Sequence, residues 1–427
     1  MSRRYWVETL GCPKNEVDSA KLAGTLQADG YTPASAPELA DVVVVNTCAF
    51  VEAARQESVE TVLALADARR EGARLVVTGC MAERYGAELA AALPEADQVS
   101  GFGVPVTLST RRPAAADAGM HPPLVPSFDL LNLPRPRSGS PWAFVKVAEG
   151  CDRTCGFCAI PSFRGRQRSR SLESILAEVD ALEVQEVVLV AQDLASYGRD
   201  TGTKGAIVPL VKAVSARVPR TRLLYLYPSE LSDGLIDVIG GTGCPYFDLS
   251  LQHASRRHLR RMRRWGDGAR FRERIATIRR RFPDAAFRSS FIVGYPGETE
   301  ADHDELLSFL DDAQLDWAGF FPYSAEEGTY AATLPDTVDE ALVGERLREC
   351  GELQDAITAH KRAGLIGRTL EVLVDRPGQG RSHHEAPDID GVVRLPASGA
   401  SLVGRFVPVR VTGAEGPDVE AELTVGA

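Results

Sequence analysis

Three short apolar runs open the chain, and each leads into a cysteine. Tyr5-Trp6-Val7 precedes Leu10-Gly11-Cys12, Val42-Val43-Val44-Val45 precedes Asn46-Thr47-Cys48, and Leu75-Val76-Val77 precedes Thr78-Gly79-Cys80. Each run reads as a buried strand followed by a small-residue turn. The helix-forming stretches Asp18–Ala28, Ala53–Arg69 and Ala82–Ala92 come next. Strands alternating with helices predict a parallel sheet with all three turns at its carboxyl edge. Thirty-five residues lie between Cys12 and Cys48 and thirty-one between Cys48 and Cys80, about one βα unit each. Three distant cysteines are therefore expected to meet at one sheet edge.

Residues 105–140 break the pattern. Pro113, Pro122, Pro123, Pro126, Pro134 and Pro136, with Pro141 just beyond, deny this stretch a regular helix or central strand, so it reads as a linker. Six strand candidates then alternate with helical stretches: Ala143–Ala148, Glu186–Val190, Arg222–Tyr227, Phe247–Leu251, Ala286–Val293 and Trp317–Tyr323. A capping box at Thr299-Glu300-Ala301-Asp302 opens one of the helices. Six right-handed βα units are two short of a closed (β/α)8 barrel, and predict a partial barrel with a wide mouth suited to a macromolecular substrate. After a helix over Ala341–Arg362, the runs Leu370–Val374, Gly391–Leu395, Phe406–Val411 and Val419–Val425 predict a small antiparallel barrel. The expected organisation is α/β: a cysteine-bearing domain over 1–104, a linker over 105–140, a partial barrel over 141–360 and a β-barrel over 361–427.

Composition narrows the chemistry. The 427 residues are 44% hydrophobic and 25% charged, as in ordinary globular proteins, with a net charge of −11 that argues against general coating of nucleic acid. The first residues lack a signal-peptide core, and no apolar run approaches the ~20 residues that span a bilayer. A cytoplasmic address is expected, where eight cysteines point to metal or redox chemistry before disulfides.

The strongest local signal is Cys151-Asp-Arg-Thr-Cys155-Gly-Phe-Cys158, directly after a predicted strand. Three thiolates on one tight loop suit three irons of a [4Fe–4S] cluster, leaving the fourth iron open. The competing readings are buried core cysteines and a zinc site, though no nearby Cys or His supplies zinc's fourth ligand. The triplet resembles the signature of radical S-adenosylmethionine enzymes. That resemblance implies a cluster whose open iron chelates S-adenosylmethionine, and a 5′-deoxyadenosyl radical that attacks unactivated C–H bonds.

With Gly11-Cys12-Pro13-Lys14-Asn15-Glu16-Val17-Asp18-Ser19, Asn46-Thr47-Cys48 and Thr78-Gly79-Cys80, the likeness extends to the methylthiotransferase family. It covers nearly the whole chain: N-terminal domain, radical domain and C-terminal TRAM-type barrel. The family places a second [4Fe–4S] cluster on the cysteines matching Cys12, Cys48 and Cys80, where sulfur is delivered. The tRNA-modifying branch has Gly-Cys-Gln-Met-Asn at the first cysteine, whereas Pro13-Lys14 resembles the branch that modifies an aspartate of small-subunit ribosomal protein twelve. Val190-Ala191-Gln192-Asp193-Leu194-Ala195-Ser196-Tyr197-Gly198, Leu251-Gln252-His253-Ala254-Ser255, Gly380-Arg381-Ser382 and Ala386-Pro387-Asp388-Ile389-Asp390-Gly391 are similar to that branch as well. Independently, the last 66 residues hold seven Arg and no Lys against nine Asp and Glu, which repels a phosphate backbone and attracts a basic protein.

The resemblance implies two S-adenosylmethionine molecules, one giving methyl to sulfur and one giving the radical that takes hydrogen from the aspartate β-carbon. It also implies a low-potential electron donor such as a flavodoxin or ferredoxin, and a sulfur donor. A monomer is expected. Rival readings are a tRNA adenosine methylthiotransferase and a non-catalytic iron–sulfur protein on the ribosome.

Further candidates are weaker. Arg164, Arg166, Arg168 and Arg170 offer a clamp for a carboxylate of the cosubstrate or the target, or else a solvated loop. Gln192 and Asp193 end a barrel strand, where barrel chemistry sits, and Gly294 ends a later one, where bare backbone suits the adenosyl group. Arg256, Arg257, Arg260, Arg261, Arg263 and Arg264 read as a solvated helix face or a contact for ribosomal RNA. His253, Cys244 and Cys350 read as core residues.

Overall fold

The computed structural model describes residues 3–106, 129–396 and 402–424. It divides into two compact units, Met1–Pro136 with Ala159–Arg166, and Arg137–Cys158 with Gln167–Ala427.

The first unit is a five-stranded parallel sheet in the order β2-β1-β3-β4-β5. Its strands are β1 (Arg4–Thr9), β2 (Thr32–Pro33), β3 (Val42–Thr47), β4 (Arg74–Gly79) and β5 (Gln98–Val99). The apolar runs supply the three central strands. The outer pair are two residues each and take their conformation from pairing, so no periodicity announces them. Helix α1 (Pro13–Ala28) starts before the expected Asp18, because Cys12 is its N-cap and Pro13 has the fixed φ of a first helical position. Lys14 and Asn15 therefore sit in its first turn. Helices α2 (Glu52–Ala68) and α3 (Cys80–Ala92) follow β3 and β4. The short α4 (Ile160–Arg164) also belongs to this unit, with Phe163 packed among Val43, Val77 and Met81. Of the proline-rich stretch, residues 107–128 lie outside the described residues, whereas Leu130–Asn132 forms a 3-10 turn whose Leu130 and Leu131 are buried.

In the second unit, β6 (Trp142–Lys146), β9 (Glu186–Val190) and β10 (Arg220–Leu223) form one parallel sheet. A second holds β11 (Tyr246–Gln252), β12 (Ala286–Val293) and β13 (Trp317–Pro322). A parallel bridge from Leu226 to Leu249 joins them, giving the six-stranded partial barrel. The third strand stops at Leu223, short of the expected Tyr227, because Tyr225 turns to φ +65°. A hairpin of β7 (Ala148–Glu149) and β8 (Arg168–Ser169) flanks the cysteine loop. Helices α5 (Leu172–Leu182), α6 (Ile207–Ser215), α7 (Asp233–Gly240), α8 (Arg256–Arg261), α9 (Gly268–Arg281), α10 (Glu300–Ala313) and α11 (Glu340–Ala363) cover the outside. At α10 both bonds of the capping box form, Asp302 N donating to Thr299 Oγ1 and Thr299 N to Asp302 Oδ2.

The chain ends in a closed barrel, β14 (Thr369–Arg376), β15 (Gln379–Arg381), β16 (Val393–Arg394), β17 (Phe406–Glu415) and β18 (Asp418–Leu423). It is antiparallel except where β16 meets β18 in parallel, which is how five strands close the ring. The loop after β15 plugs the amino-terminal end of the partial barrel. Fully buried Glu186 accepts from Arg222 at 2.8 Å and Arg381 at 3.0 Å, while Tyr246 donates to Asp390 at 2.6 Å. The segments around Arg381 and Asp390 are thus occupied as structural anchors. No helix among the described residues is long and apolar enough to cross a membrane.

Candidate functional site

In the first unit all three cysteines lie at the carboxyl edge of the sheet, beside the starts of helices. Cys12 caps α1, Cys48 directly follows β3, and Cys80 opens α3. Backbone conformation makes the cage. Gly11 has φ +91° and Gly79 φ +96°. A Cβ on Gly11 would stand 2.8 Å from Cys48 Sγ, and one on Gly79 would stand 2.3 Å from Asn46 Oδ1 and 2.5 Å from the Thr47 backbone.

Two asparagines tie the turns together. Asn15 Nδ2 donates to Leu10 O at 2.8 Å and Thr47 O at 3.1 Å, while Asn46 Nδ2 donates to Asn15 O at 2.8 Å and Ser19 Oγ at 3.0 Å. Cys48 N donates to Ser58 Oγ at 3.0 Å. Arg164 enters the same cage, donating to Asn15 Oδ1 at 2.6 Å, Cys80 Sγ at 3.0 Å and Asp18 Oδ2 at 3.2 Å.

The thiols feel one another and their cations. Burial pushes Cys48 up to about 11, reinforced by Cys80 and Cys12, and burial also raises Cys80 against the pull of Arg164. At Cys12 burial acts the same way but is outweighed by Lys14, Arg164 and backbone N–H groups, so its thiol falls below the ordinary value.

In the second unit the loop of Cys151, Cys155 and Cys158 follows β7. Gly156 pins it, its N–H donating to Met262 O at 2.8 Å and its carbonyl accepting from Ala331 N at 2.7 Å. Arginines surround the sulfurs. Arg264 donates to Cys155 Sγ at 3.3 Å, and the Arg153 backbone N–H to Cys151 Sγ at 3.4 Å. The Arg153 side chain donates to Asp193 Oδ2 at 2.6 Å, Ser196 Oγ at 3.0 Å and Glu230 Oε1 at 3.1 Å. Both guanidiniums lie over the Tyr227 ring, 3.9 and 4.0 Å from its centroid. Gln192 Nε2 donates to Glu149 Oε1 at 2.7 Å, and Glu149 in turn accepts from Lys146 at 2.7 Å. Buried Asp193 Oδ1 and Gln192 Oε1 keep lone pairs without a protein donor. Burial pushes Cys151 up to about 11.

The donor sets fit iron–sulfur clusters. Each is three thiols outside any disulfide, with N–H donors around them, the surroundings that tune thiolate-bound irons. Among the described residues, the potential ligand groups that close to within 4.8 Å are His253/His258/Glu298 and Asp284/His383/His384. Neither cysteine triplet is so tight, as thiolates around one zinc ion at about 2.3 Å would be.

Several sequence candidates take different places. Arg164 belongs to the first unit, where its carboxylate partner is Asp18. Exposed Arg166 is in that unit too, whereas Arg168 pairs across the β7–β8 hairpin with Glu149, and buried Arg170 holds Lys146 O and Glu178. The four arginines thus divide between the two units. Gly294, φ +79°, donates its N–H to Glu298, and Val343 fills the space where its Cβ would stand. The arginine run is no single face: α8 ends at Arg261, Arg257 binds Asp302, Arg263 covers Tyr330 and Arg264 turns to Cys155. His253, Cys244 and Cys350 are buried, burial pushing the two thiols up to about 11 and about 12. Sequence reasoning passed over Arg153, Glu149 and Tyr227. The signal that could have found Arg153 is its place inside the cysteine triplet.

Residues 4–101 match the family described as uncharacterized protein family UPF0004, residues 145–310 the radical SAM superfamily, and residues 366–424 the TRAM domain. Ribosomal protein uS12 methylthiotransferase RimO of Streptomyces coelicolor is 43% identical over 482 residues, covering 100% of this chain and 98% of that protein. The protein of the same name from Kineococcus radiotolerans is 41% identical, over 100% of this chain and 98% of its own length. Among solved structures, the radical S-adenosylmethionine methyltransferase TsrM of Kitasatospora setae matches with a TM-score of 0.52 at 15% identity, covering 75% of this chain and 73% of that one, which speaks to the fold alone. The superfamily implies S-adenosylmethionine and a [4Fe–4S] cluster, and by its full-length likeness the chain belongs to the RimO family of radical S-adenosylmethionine methylthiotransferases.

Proposed function

We propose that this chain methylthiolates the β-carbon of an aspartate in ribosomal protein uS12, using two [4Fe–4S] clusters and two molecules of S-adenosylmethionine. The observation that carries the reading is the pair of three-thiol cages in a chain similar to RimO proteins over its whole length. Cys151, Cys155 and Cys158 hold the cluster that, when bound, supplies the electron for reductive cleavage of S-adenosylmethionine. Cys12, Cys48 and Cys80 hold the second, where sulfur is carried. Gln192, Asp193 and Arg168 are assigned to S-adenosylmethionine. Asp193 Oδ1 and Gln192 Oε1, which keep free lone pairs, suit its ammonium and hydroxyl donors. Arg153 and Arg264 fix the loop and temper the charge on its sulfurs.

In this reading residues 1–104 carry sulfur, 141–360 generate the radical and 361–427 dock the substrate. The acidic tail barrel complements a basic ribosomal protein. A flavodoxin or ferredoxin supplies electrons, a separate donor supplies sulfur, and the protein works as a cytoplasmic monomer.

Anaerobic iron and sulfide quantitation tests the cluster count. About eight irons are expected in the reconstituted chain, and about four in either Cys12→Ala/Cys48→Ala/Cys80→Ala or Cys151→Ala/Cys155→Ala/Cys158→Ala. Mass spectrometry of a uS12 peptide after turnover should then show hydrogen replaced by a methylthio group. Modification of a tRNA instead, with affinity falling steeply in salt, would transfer the assignment to the tRNA branch.

A further inference from the structure

We infer that Arg164 is a positioning residue for the sulfur-carrying centre, donating an N–H···S hydrogen bond to the Cys80 thiolate and setting that cluster's reduction potential. The inference rests on the two-cluster reading and deepens it. Arg164 lies six residues after Cys158, so one short stretch of chain supplies a ligand to one cage and a donor to the other.

The guanidinium uses its fork in full view of the sulfur. One terminal nitrogen reaches both Asn15 Oδ1 at 2.6 Å and Cys80 Sγ at 3.0 Å, and the other meets Asp18 at 3.2 Å. The Arg164 side chain is 3% exposed and that of Asp18 0%, so water competes for neither. The guanidinium also lies over the Phe102 ring, whose centroid is 4.4 Å from its carbon. Asn15, which Arg164 holds, ties the first turn to the second through Leu10 O and Thr47 O. Arg164 thus grips the link between two turns and the sulfur of the third.

Hydrogen bonds to thiolate sulfurs and nearby positive charge favour the more negative, reduced cluster and raise its potential. A lysine does not reproduce this, because its ammonium is a point charge without the planar fork. Asp18 and Lys14 are the other charged groups that act on this cage.

The test uses the full chain carrying Cys151→Ala/Cys155→Ala/Cys158→Ala, so that any bound cluster belongs to the first cage. Into it go Arg164→Lys and, separately, Arg164→Met/Asp18→Asn, which removes both partners of the buried pair and keeps their net charge. Iron is counted, and the midpoint potential and EPR spectrum of the reduced cluster are recorded. The expected result is about four irons with a more negative midpoint and an altered EPR signal in the double variant. Unchanged potential and spectrum with full iron would overturn the inference. Should the double variant lose its iron, the same titration on Arg164→Lys decides, a negative shift supporting the role and no shift refuting it. A parent with Arg164 intact that binds no iron would instead bring down the two-cluster reading, and the inference with it.

Discussion

The two cysteine cages reach similar donor sets by opposite routes. In the first unit, each cysteine comes from a different βα unit, and the sulfurs meet because three parallel strands run in register. Thr9 pairs with Asn46, Asn46 with Thr78, and Thr47 with Gly79. Backbone conformation does the rest, through two positive-φ glycines and asparagines bonded to main-chain carbonyls. In the second unit, all three cysteines lie within eight residues, and charge holds the loop: Arg153 and Arg264, with Asp193, Glu230 and Tyr227 around them. A cage assembled from distant turns is vulnerable to a single added methyl group. A cage on one loop is vulnerable to a lost charge partner.

The largest expected effect follows from the first half of that contrast. Gly79→Ala places a methyl group 2.3 Å from Asn46 Oδ1 and 2.5 Å from Thr47 backbone atoms, at a φ that alanine resists. Iron should fall from about eight to about four, with the first cage emptied. Gly156→Ala is the matched control on the radical loop. Its Cβ meets the Tyr295 hydroxyl at 2.8 Å and the Tyr330 ring at 3.1 Å, both side-chain atoms, while the nearest backbone atom stands 3.4 Å away and its φ is not positive. It should keep nearly full iron. Equal losses in both variants would erase the distinction between the cages.

The second half of the contrast predicts a stability effect. Arg153→Met leaves Asp193, which is 4% exposed, without its cation inside the barrel. Breaking such a pair from one side costs about 3–5 kcal/mol, and the partial exposure of Arg153 places this case toward the lower end. Urea midpoints should show that loss, with 5′-deoxyadenosine formation falling as well. Arg153→Met/Asp193→Asn should recover most of the stability without the activity. If the double variant is as unstable as the single, the loop is held by packing and not by charge.

The same contrast explains what was legible in the sequence. Val42–Val45 is buried on both faces and reads as a strand without help, and the even spacing of Cys12, Cys48 and Cys80 follows from the repeating βα unit. Cys151–Cys158 is visible because its spacing is entirely local. The partners were not legible. Arg164 looks like one of four solvated cations until a five-residue helix carries it into the first unit, and Arg264 looks like the end of a basic helix until that helix stops at Arg261. A guanidinium has no periodicity, and the roles of these two are fixed by residues 84 to 149 positions away. The short strands β2 and β5 escaped for a related reason: two residues hold no pattern, and their neighbours impose the conformation.

The subtlest way to separate the cages is the reactivity of their thiols in metal-free chain. Lys14, Arg164 and backbone N–H groups outweigh burial at Cys12 and hold it below the ordinary value of 9.0, whereas burial leaves Cys48 and Cys151 at about 11. Thiolate, not thiol, attacks iodoacetamide, and below its pKa a thiol loses thiolate tenfold per pH unit. The lower-pKa sulfur is intrinsically a weaker nucleophile, with a Brønsted slope of about 0.4–0.5, so roughly half of the logarithmic advantage survives. At pH 8, peptide mapping after brief alkylation should therefore find Cys12 modified several-fold ahead of Cys151 and Cys48. Raising the pH toward 10 should close the gap, since Cys12 is by then fully ionised while the other two are still gaining thiolate. Arg164→Lys should leave most of the Cys12 advantage, because the positive charge stays. Arg164→Met/Asp18→Asn should reduce it, since Lys14 then acts alone. Equal modification of Cys12 and Cys151 at pH 8 would mean that the cations of the first cage do not reach its sulfur, and the electrostatic half of its design would have to be abandoned.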